Sequence, residues 1–437
     1  MTGMNVFVLV LDSMRKDRLS VYNDDVDFTP NIERIASESK IYRNSNAQGP
    51  WTLPSTASIF TGQYPWEHNA THNNTRLETD RELLVEKFRD ENYDTKLITS
   101  NTWLSPSTGM TRGFHEVENH FGLAGNQHFQ NLVSKLGKLY DRLGENTREK
   151  IAHVLNLGAE LFMDLEKSRK TVDEAKKFLE EKTDKEKFFL FVNLMSAHEP
   201  YDPGDPPEEY MKDQGVEKPS EIPRTDREYF KSKGKKDELR KAYDAAVDYT
   251  DDLVGELYDK LAEQDLEEDT LLVVLGDHGQ AVGKNGILGH QFTVMNEVVE
   301  VPLIISDPSS DDQKDKENLF ELKDLYTKIP KLAGIKDSGP ANRDLIRGGY
   351  EFPEFVSESI PEERKSELDR KLLYARNSNG KIVKKISRNG DAEYEYTGDK
   401  DRELKKVVDS VEENKSVSGD EIEDEAVKKR LEKLGYT

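Results

Sequence analysis

The chain has 437 residues, of which 35% are hydrophobic and 34% are charged, and it carries a formal net charge of −23 at pH 7. A globular chain of this length can bury one large core, and its acidic surface disfavours nucleic acid as a partner because a phosphate backbone would be repelled. The absence of cysteine excludes disulfides, thiolate metal sites and a cysteine nucleophile.

The first predicted element is a strand over residues 5–11, a short apolar run rich in β-branched residues. Such a run suits a strand that is buried on both faces of a parallel sheet. It is too short to span a membrane, lacks a basic leader and is followed by Asp12, so we expect neither a signal peptide nor a membrane span. We therefore expect a soluble, cytoplasmic protein.

Strands and helices then alternate along the chain. Helical patterns occupy residues 30–39, 81–92 and 239–264. Further apolar runs predict strands over residues 188–192, 271–275 and 301–305. This alternation predicts an α/β layered fold with functional residues at the carboxyl ends of the strands.

Two regions interrupt this alternation. Residues 121–182 form a helix-prone insert with apolar residues at helical spacing, which we expect to pack on the main domain. The alternative is a surface for a membrane or a partner, such as a second copy of the chain. Residues 202–236 are dense in proline, glycine and charge, which predicts a polar surface loop beside the site.

The last hundred residues are more polar than the rest and predict a small C-terminal subdomain over residues 341–437, beside a catalytic domain over residues 1–340. A hairpin is predicted by two strand-like runs, residues 381–387 and 392–396, around Asn389-Gly390. A charged helix is predicted over residues 421–434.

Carboxylates and imidazoles follow the predicted strands. Asp12 ends the first strand, and Asp277 and His278 follow the run over residues 271–275. Such groups meeting at one sheet edge can hold a divalent cation, which would lower the pKa of a coordinated hydroxyl. Taken singly, a strand-terminal aspartate is more often a helix cap or a turn residue than a metal ligand.

Thr52 is the candidate nucleophile. It lies between Pro50 and Pro54, which restrict the backbone, and just ahead of a helix predicted to begin near Ser55. The first N–H groups of that helix have no partner within it, so they would face an anion.

Two further histidines lie in loops, His198 after the predicted strand over residues 188–192 and His290 in a glycine-rich segment. Each is a candidate catalytic residue, and a loop or core histidine is the alternative for each. Asn101 either lines the pocket or caps a turn, and Lys284 either holds a substrate anion or is a solvated loop charge.

Together these motifs resemble the sulfatase family of the alkaline-phosphatase superfamily. The resembling segments are LDSMR at 11–15, TPN at 29–31, LPS at 53–55, TGQYP at 61–65, SAHEPY at 196–201, GDHG at 276–279, GH at 289–290 and VPLI at 301–304. The resemblance covers nearly the whole chain and is weakest in residues 121–180 and 202–236.

The resemblance implies a three-layer α/β/α sandwich around a mostly parallel sheet, with a small C-terminal α+β subdomain. It implies that one metal ion is bound by four residues: Asp12, Thr52, Asp277 and His278. It further implies that Thr52 attacks sulfur or phosphorus, while His198 and His290 contact the ester oxygens or protonate the leaving group. We assign substrate contacts to Ser13, Arg15, Asn101 and Lys284.

Departures from the family pattern bear on the chemistry. Family sulfatases carry cysteine or serine at the position of Thr52, which is converted to formylglycine, and arginine at the position of Thr56. Threonine cannot be converted by that route, so no formylglycine is expected; related phosphoethanolamine and phosphoglycerol transferases use a threonine nucleophile. Ser13 and Gln280 replace acidic residues, which favours one divalent ion (Ca²⁺, Mn²⁺, Mg²⁺ or Zn²⁺) over two.

The sequence thus predicts a metal-dependent hydrolase or transferase that cleaves a phosphate, phosphonate or sulfate ester through Thr52, with phospho-esters preferred. The substrate class is a small molecule or a glycan or lipid headgroup ester. A sulfuric ester hydrolase acting without formylglycine is one alternative, and a non-catalytic glycan-binding or scaffold protein that keeps the fold is another.

Overall fold

A central eight-stranded sheet organises the protein in this computed structural model, which describes residues 3–120, 167–182, 186–201, 204–231, 236–310, 315–335, 339 and 343–411. Its strands are β1 (Asn5–Leu11), β2 (Lys40–Asn46), β3 (Asp94–Thr99), β4 (Glu116–Asn119), β5 (Phe188–Leu194), β6 (Thr270–Leu275), β7 (Leu303–Ser306) and β8 (Lys316–Glu321). Their order is β4-β3-β5-β1-β6-β7-β2-β8. Among these eight strands β7 alone runs antiparallel to its neighbours, so the sheet is mostly parallel, as predicted.

Helices cover both faces of the sheet. Twelve α-helices lie in the described ranges: α1 (Pro30–Ser37), α2 (Thr52–Thr61), α3 (Pro65–His68), α4 (Leu84–Asp90), α5 (Lys167–Glu180), α6 (Glu208–Asp213), α7 (Asp226–Lys231), α8 (Lys236–Glu263), α9 (Asn296–Val299), α10 (Leu325–Leu332), α11 (Lys365–Leu368) and α12 (Arg402–Asp409).

The side chains of β1 divide between two apolar cores. Val6, Val8 and Val10 belong to one buried cluster, which also contains residues of α2, α4 and α10. Phe7, Leu9 and their neighbours belong to the other, with residues of α1, α5 and α8. Because successive strand residues point to opposite faces, this division produces the three-layer α/β/α sandwich.

A second sheet forms a C-terminal subdomain. It contains β9 (Ile346–Tyr350), β10 (Lys371–Arg376), β11 (Gly380–Ile386) and β12 (Ala392–Gly398), all antiparallel in the order β12-β11-β10-β9. The predicted hairpin is the β11-β12 pair. The sheet contacts the segment that leads into α2: Tyr374 O–H donates to the carbonyl of Ala47, and Gly349 N–H donates to the carbonyl of Gln48 at 2.9 Å.

Several sequence predictions fall partly or wholly outside the described residues. Of the predicted insert over 121–182, residues 121–166 lie outside them, and the described remainder contains α5. The predicted polar loop over 202–236 contains α6 and α7 in its described part. The predicted helix over 421–434 lies outside the described ranges. Within those ranges, every helix is too short or too polar to cross a bilayer.

Candidate active site

The carboxyl ends of β1 and β6 form the base of the site. These strands are parallel neighbours, so Asp12, directly after β1, meets Asp277 and His278, just after β6. His278 Nε2 lies 3.5 Å from Asp12 Oδ1 and 3.7 Å from Asp277 Oδ2. All three side chains are completely buried.

Thr52 is the first residue of α2, which begins three residues earlier than the sequence indicated. Pro54 is compatible with this start because the N–H that proline lacks would have no partner in the first helical turn. Thr52 Oγ1 lies 3.2 Å from Asp12 Oδ2 and 3.4 Å from His278 Nε2. The hydroxyl therefore sits at the positive end of a helix and against the buried carboxylate and imidazole.

Two asparagines orient this centre. Asn101 Nδ2 donates to Asp12 Oδ2 at 2.7 Å and to Thr52 Oγ1 at 3.1 Å. Asn193 Nδ2 also approaches Asp12 Oδ2, at 3.3 Å. Sequence reasoning missed Asn193, although a lone amide in the apolar run of β5 was a usable signal.

The donor set of Asp12, Asp277 and His278 fits a divalent cation. One ligand atom from each residue lies within 4.8 Å of the others. His278 Nδ1–H donates to the carbonyl of Gly279 at 2.9 Å, which leaves the lone pair on Nε2. Asp277 Oδ2 is buried and, within the described residues, has no hydrogen-bond partner, so a cation would satisfy it.

Burial also sets the protonation of this centre. The pKa of Asp277 is raised well above its usual 3.8, first by burial and then by the neighbouring Asp12. Burial lowers the pKa of His278 below its usual 6.5, so its imidazole is neutral and able to act as a ligand. Two carboxylates held this close without a compensating charge are costly, and a cation relieves that cost.

His198 and His290 stand beside the centre. The ring of His290 is 4.4 Å from that of His278 and 5.1 Å from that of His198, between centroids. Both are buried, and burial, followed by the other two histidines, lowers the pKa of His290 well below 6.5.

The remaining predicted site residues lie at different distances from the centre. Ser13 has φ of 60° and its hydroxyl donates to Asp12 Oδ1 at 3.2 Å, inside the buried cluster. Arg15 forms two hydrogen bonds with Asp17, at 2.8 and 2.7 Å, with one nitrogen 3.4 Å from the carbonyl of Gln280 at the rim. Lys284 pairs with Glu297 on a half-exposed loop, so the structure does not bring it into the cluster.

Thr56 lies one turn after Thr52 on α2 and is 1% exposed. Its Oγ1 has no hydrogen-bond partner in the part of the chain that is described. A neutral hydroxyl thus occupies the position at which the resemblance places an arginine.

Two acidic residues near the histidines were also missed. Glu199 Oε2 lies 3.5 Å from His198 Nδ1 and 3.9 Å from His290 Nδ1. Asp226 Oδ1 accepts from the N–H groups of Leu288 and Gly289, at 2.8 and 3.3 Å, and so fixes the loop that carries His290. Glu199 was visible in the SAHEPY segment, but Asp226 lies far away in sequence and gave no signal.

Comparison with known proteins places these features in a family. A family model described as Sulfatase matches residues 4–335. An arylsulfatase of Clostridium perfringens is 24% identical over 382 residues, 78% of this chain and 78% of that protein. The multifunctional alkaline phosphatase superfamily protein PehA of Trinickia caryophylli is 23% identical over 359 residues, 70% of this chain and 69% of that protein. The solved phosphonate monoester hydrolase of Agrobacterium radiobacter superposes with a TM-score of 0.64 at 17% identity, covering 90% of this chain and 89% of that one.

Proposed function

This chain belongs to the sulfatase family, and from that premise we propose that it cleaves a phosphate, phosphonate or sulfate ester with Thr52 as the nucleophile and phospho-esters preferred. It is an ester hydrolase of the alkaline phosphatase superfamily.

The position of Thr52 carries this proposal. Its Oγ1 lies 3.2 Å from Asp12 Oδ2, which can accept the hydroxyl proton, and 3.4 Å from the lone pair of His278 Nε2. A buried hydroxyl between two such acceptors, at a helix N-terminus, has the surroundings of an activated nucleophile. The N–H groups of Thr52 and Leu53, which have no acceptor within α2, would stabilise negative charge on the group under attack.

One divalent cation completes the proposed site, held by Asp12, Asp277, His278 and the Thr52 hydroxyl. When bound, such an ion lowers the pKa of a coordinated hydroxyl and neutralises ester oxygens. The protein contributes the buried acceptors, and Asn101 fixes Asp12 and Thr52 relative to each other. Ca²⁺, Mg²⁺, Mn²⁺ and Zn²⁺ all accept oxygen ligands with one imidazole.

Threonine chemistry supports the preference for phospho-esters. The conversion that produces formylglycine requires cysteine or serine, so Thr52 would form its own ester with the transferred group, which is then released to water or an alcohol. His198 and His290 are proposed to contact the oxygens of that group or to protonate the leaving group, because both are buried beside His278. Thr56 stands where the resemblance places an arginine and supplies no positive charge, so it gives an oxyanion less stabilisation than arginine would.

Sulfate ester hydrolysis without formylglycine is the second candidate. It is supported by the names of relatives, which include the arylsulfatase of Clostridium perfringens at 24% identity. The natural substrate would be a small molecule or a glycan or lipid headgroup ester, in keeping with a chain whose net charge of −23 disfavours nucleic acid. A cytoplasmic location and self-association through residues 121–182 stay predictions.

The test compares four p-nitrophenyl esters: a sulfate, a phosphate monoester, a phosphodiester and a phosphonate monoester. The enzyme is stripped with chelator and reconstituted with each cation, and Thr52→Val and Thr52→Ser are assayed beside it. Thr250→Val is the matched control, since Thr250 is equally buried but lies mid-way along α8. Mass spectrometry of the rapidly quenched enzyme then looks for a transferred group on the peptide containing Thr52.

We expect phospho-ester turnover that is lost in Thr52→Val, partly kept in Thr52→Ser and unchanged in Thr250→Val. Turnover of the sulfate alone would select the second candidate. Full activity in Thr52→Val would reject the threonine nucleophile, and inactivity on all esters with every cation would favour a non-catalytic protein.

A further inference from the structure

The carboxylate of Glu199 lies behind the two loop histidines. Its Oε2 is 3.5 Å from His198 Nδ1 and 3.9 Å from His290 Nδ1, and the side chain is buried. Gln280 contacts the same oxygen through Nε2 and approaches His290 Nδ1 through Oε1, at 3.2 Å. These four side chains form one connected group, which we call the Glu199 group.

The hydrogen-bond chemistry fixes the direction of each bond in the Glu199 group. A carboxylate only accepts, so the Gln280 NH₂ must face Glu199, and the amide oxygen must face His290. An amide oxygen also only accepts, so the proton of neutral His290 is on Nδ1. His198 Nδ1 contacts the backbone carbonyl of Glu199 and carries its proton for the same reason.

This proton placement bears on cation binding. One ligand atom each from His198, Glu199 and His290 lies within 4.8 Å of the others, a set that could suit a metal ion. The nitrogens nearest to Glu199 are both Nδ1 atoms, and both carry protons in this arrangement, so they do not offer lone pairs to an ion there. At the Asp12 centre the opposite holds, since His278 Nε2 has its lone pair directed between two carboxylates.

The backbone of Gly289 lies directly against the Glu199 carboxylate. A methyl group on Gly289 would lie 2.5 Å from Glu199 Oε1 and 3.2 Å from Asp226 Oδ2, so glycine is needed for this close approach. Gln280 Nε2 is held a second time, 3.3 Å from the Tyr201 hydroxyl. Each end of the Glu199–Gln280 contact therefore has a second neighbour beside it.

We propose that Glu199 is a positioning residue which, through Gln280, keeps neutral His290 protonated on Nδ1 and so makes its Nε2 a hydrogen-bond acceptor. In this neutral form His290 Nε2 cannot bond to an ester oxygen, which has no proton, so its role lies in the release step rather than in contacting the ester or protonating the leaving group. There it can hold the hydroxyl of a water or alcohol. This rests on the proposed function: in the step that releases Thr52, the new bond forms between that hydroxyl oxygen and the transferred group. The bond from the group to Thr52 Oγ1 breaks with its electron pair on Oγ1, and the hydroxyl proton passes to His290 Nε2.

The experiment compares Glu199→Met, which removes the acceptor, with Glu199→Gln, which can keep an oxygen toward Gln280 while its NH₂ faces Asp226. Full-length protein labelled with ¹⁵N-histidine is studied by NMR, which distinguishes Nδ1-protonated from Nε2-protonated rings without any turnover. The His290 signals are identified by their loss in His290→Gln. Gly289→Ala is a second perturbation, because it displaces Glu199 without altering a polar group.

We expect His290 to be protonated on Nδ1 in the native protein and in Glu199→Gln. In Glu199→Met and Gly289→Ala we expect a mixture of Nδ1-protonated and Nε2-protonated rings. We expect kcat to fall about 10–100-fold in Glu199→Met, by analogy with the carboxylates that orient metal-bound histidines, with little change in KM. Glu199→Gln should retain most of kcat.

An unchanged His290 proton position in Glu199→Met would overturn the proposal. So would two bound ions per native chain with one lost in both Glu199→Met and Glu199→Gln, since Glu199 would then be a metal ligand. The NMR result stands even if Thr52 proves not to be the nucleophile, so failure of the proposed function and failure of this proposal are distinguishable.

Discussion

Replacing Asp277 by asparagine tests whether a cation, rather than the protein alone, compensates the buried carboxylate pair. Asparagine keeps Oδ1, which accepts from the backbone N–H of His278 at 2.9 Å. It replaces Oδ2, which lacks a hydrogen-bond partner among the described residues. Burial and then Asp12 raise the pKa of Asp277, so its charged form is destabilised in the folded, cation-free protein. Asparagine carries no charge, so it removes this cost, and the cation-free variant should be more stable than the native protein by about 1–3 kcal/mol.

With the cation present, the native protein should be more stable than the Asp277→Asn variant. A ligand at about 100 times its Kd adds about 2.7 kcal/mol to the native protein. The variant lacks one charged ligand, so cation binding should add far less to its free energy of unfolding. Urea unfolding followed by tryptophan fluorescence, with chelator and with Mn²⁺, measures both differences.

Asp244→Asn is the matched control for this comparison. Asp244 is also buried, but its two oxygens pair with Arg18 at 2.7 and 2.6 Å, so the substitution should destabilise the protein equally with and without cation. If the chelator-treated Asp277→Asn protein is less stable than the native one, as the control should be, the reasoning about Asp277 is wrong.

Two further predictions concern pH and the end of α2. Burial, followed by Glu199, raises the pKa of Asp226 from 3.8 to about 7, so the folded state holds this proton more tightly than the unfolded state. The resulting stability is present below pH 3.8 and is lost as the pH rises to about 7. Urea unfolding between these pH values should show a smaller loss of stability for Asp226→Asn than for the native protein. An equal loss in the two proteins would contradict the assignment. Gly62, at the end of α2, has φ of 69°, and an added Cβ would lie 2.8 Å from Tyr326. Gly62→Ala should cost about 1–3 kcal/mol in the same assay, more than Gly390→Ala, where φ is also positive but no atom lies within 4 Å of the added Cβ; equal costs would mean that the contact with Tyr326 does not matter.

In the central sheet, the strands that the sequence predicted are continuous apolar runs. β1, β5 and β6 are continuous apolar runs because helices cover both of their sides. β2 and β8 carry Lys, Arg, Asn and Glu beside their apolar residues, since they lie toward one edge of the sheet and are only partly buried. Their composition resembles that of a loop, and only the pairing across the sheet identifies them.

The candidate site shows a similar division. Asp12, Asp277 and His278 were predictable because they directly follow apolar strands, and parallel neighbours bring such positions together. The sequence analysis placed the start of α2 near Ser55, three residues late, although proline is tolerated in the first helical turn and Pro54 therefore allows a start at Thr52. The contacts of Glu199 depend on side-chain packing across three loops, which no local pattern encodes.

The contacts between the C-terminal sheet and Ala47 and Gln48 have a consequence for how this protein can be divided. The second sheet begins at Ile346, and two of its residues, Tyr374 and Gly349, form hydrogen bonds with the chain that enters α2. Removing the second sheet would therefore remove the hydrogen bonds to Ala47 and Gln48, a few residues before Thr52. It would not delete any of the residues at the Asp12 centre. A truncated chain that ends before the second sheet would keep every sequence motif of the site. It would still lack the two hydrogen bonds that position the segment leading to the reactive hydroxyl of Thr52.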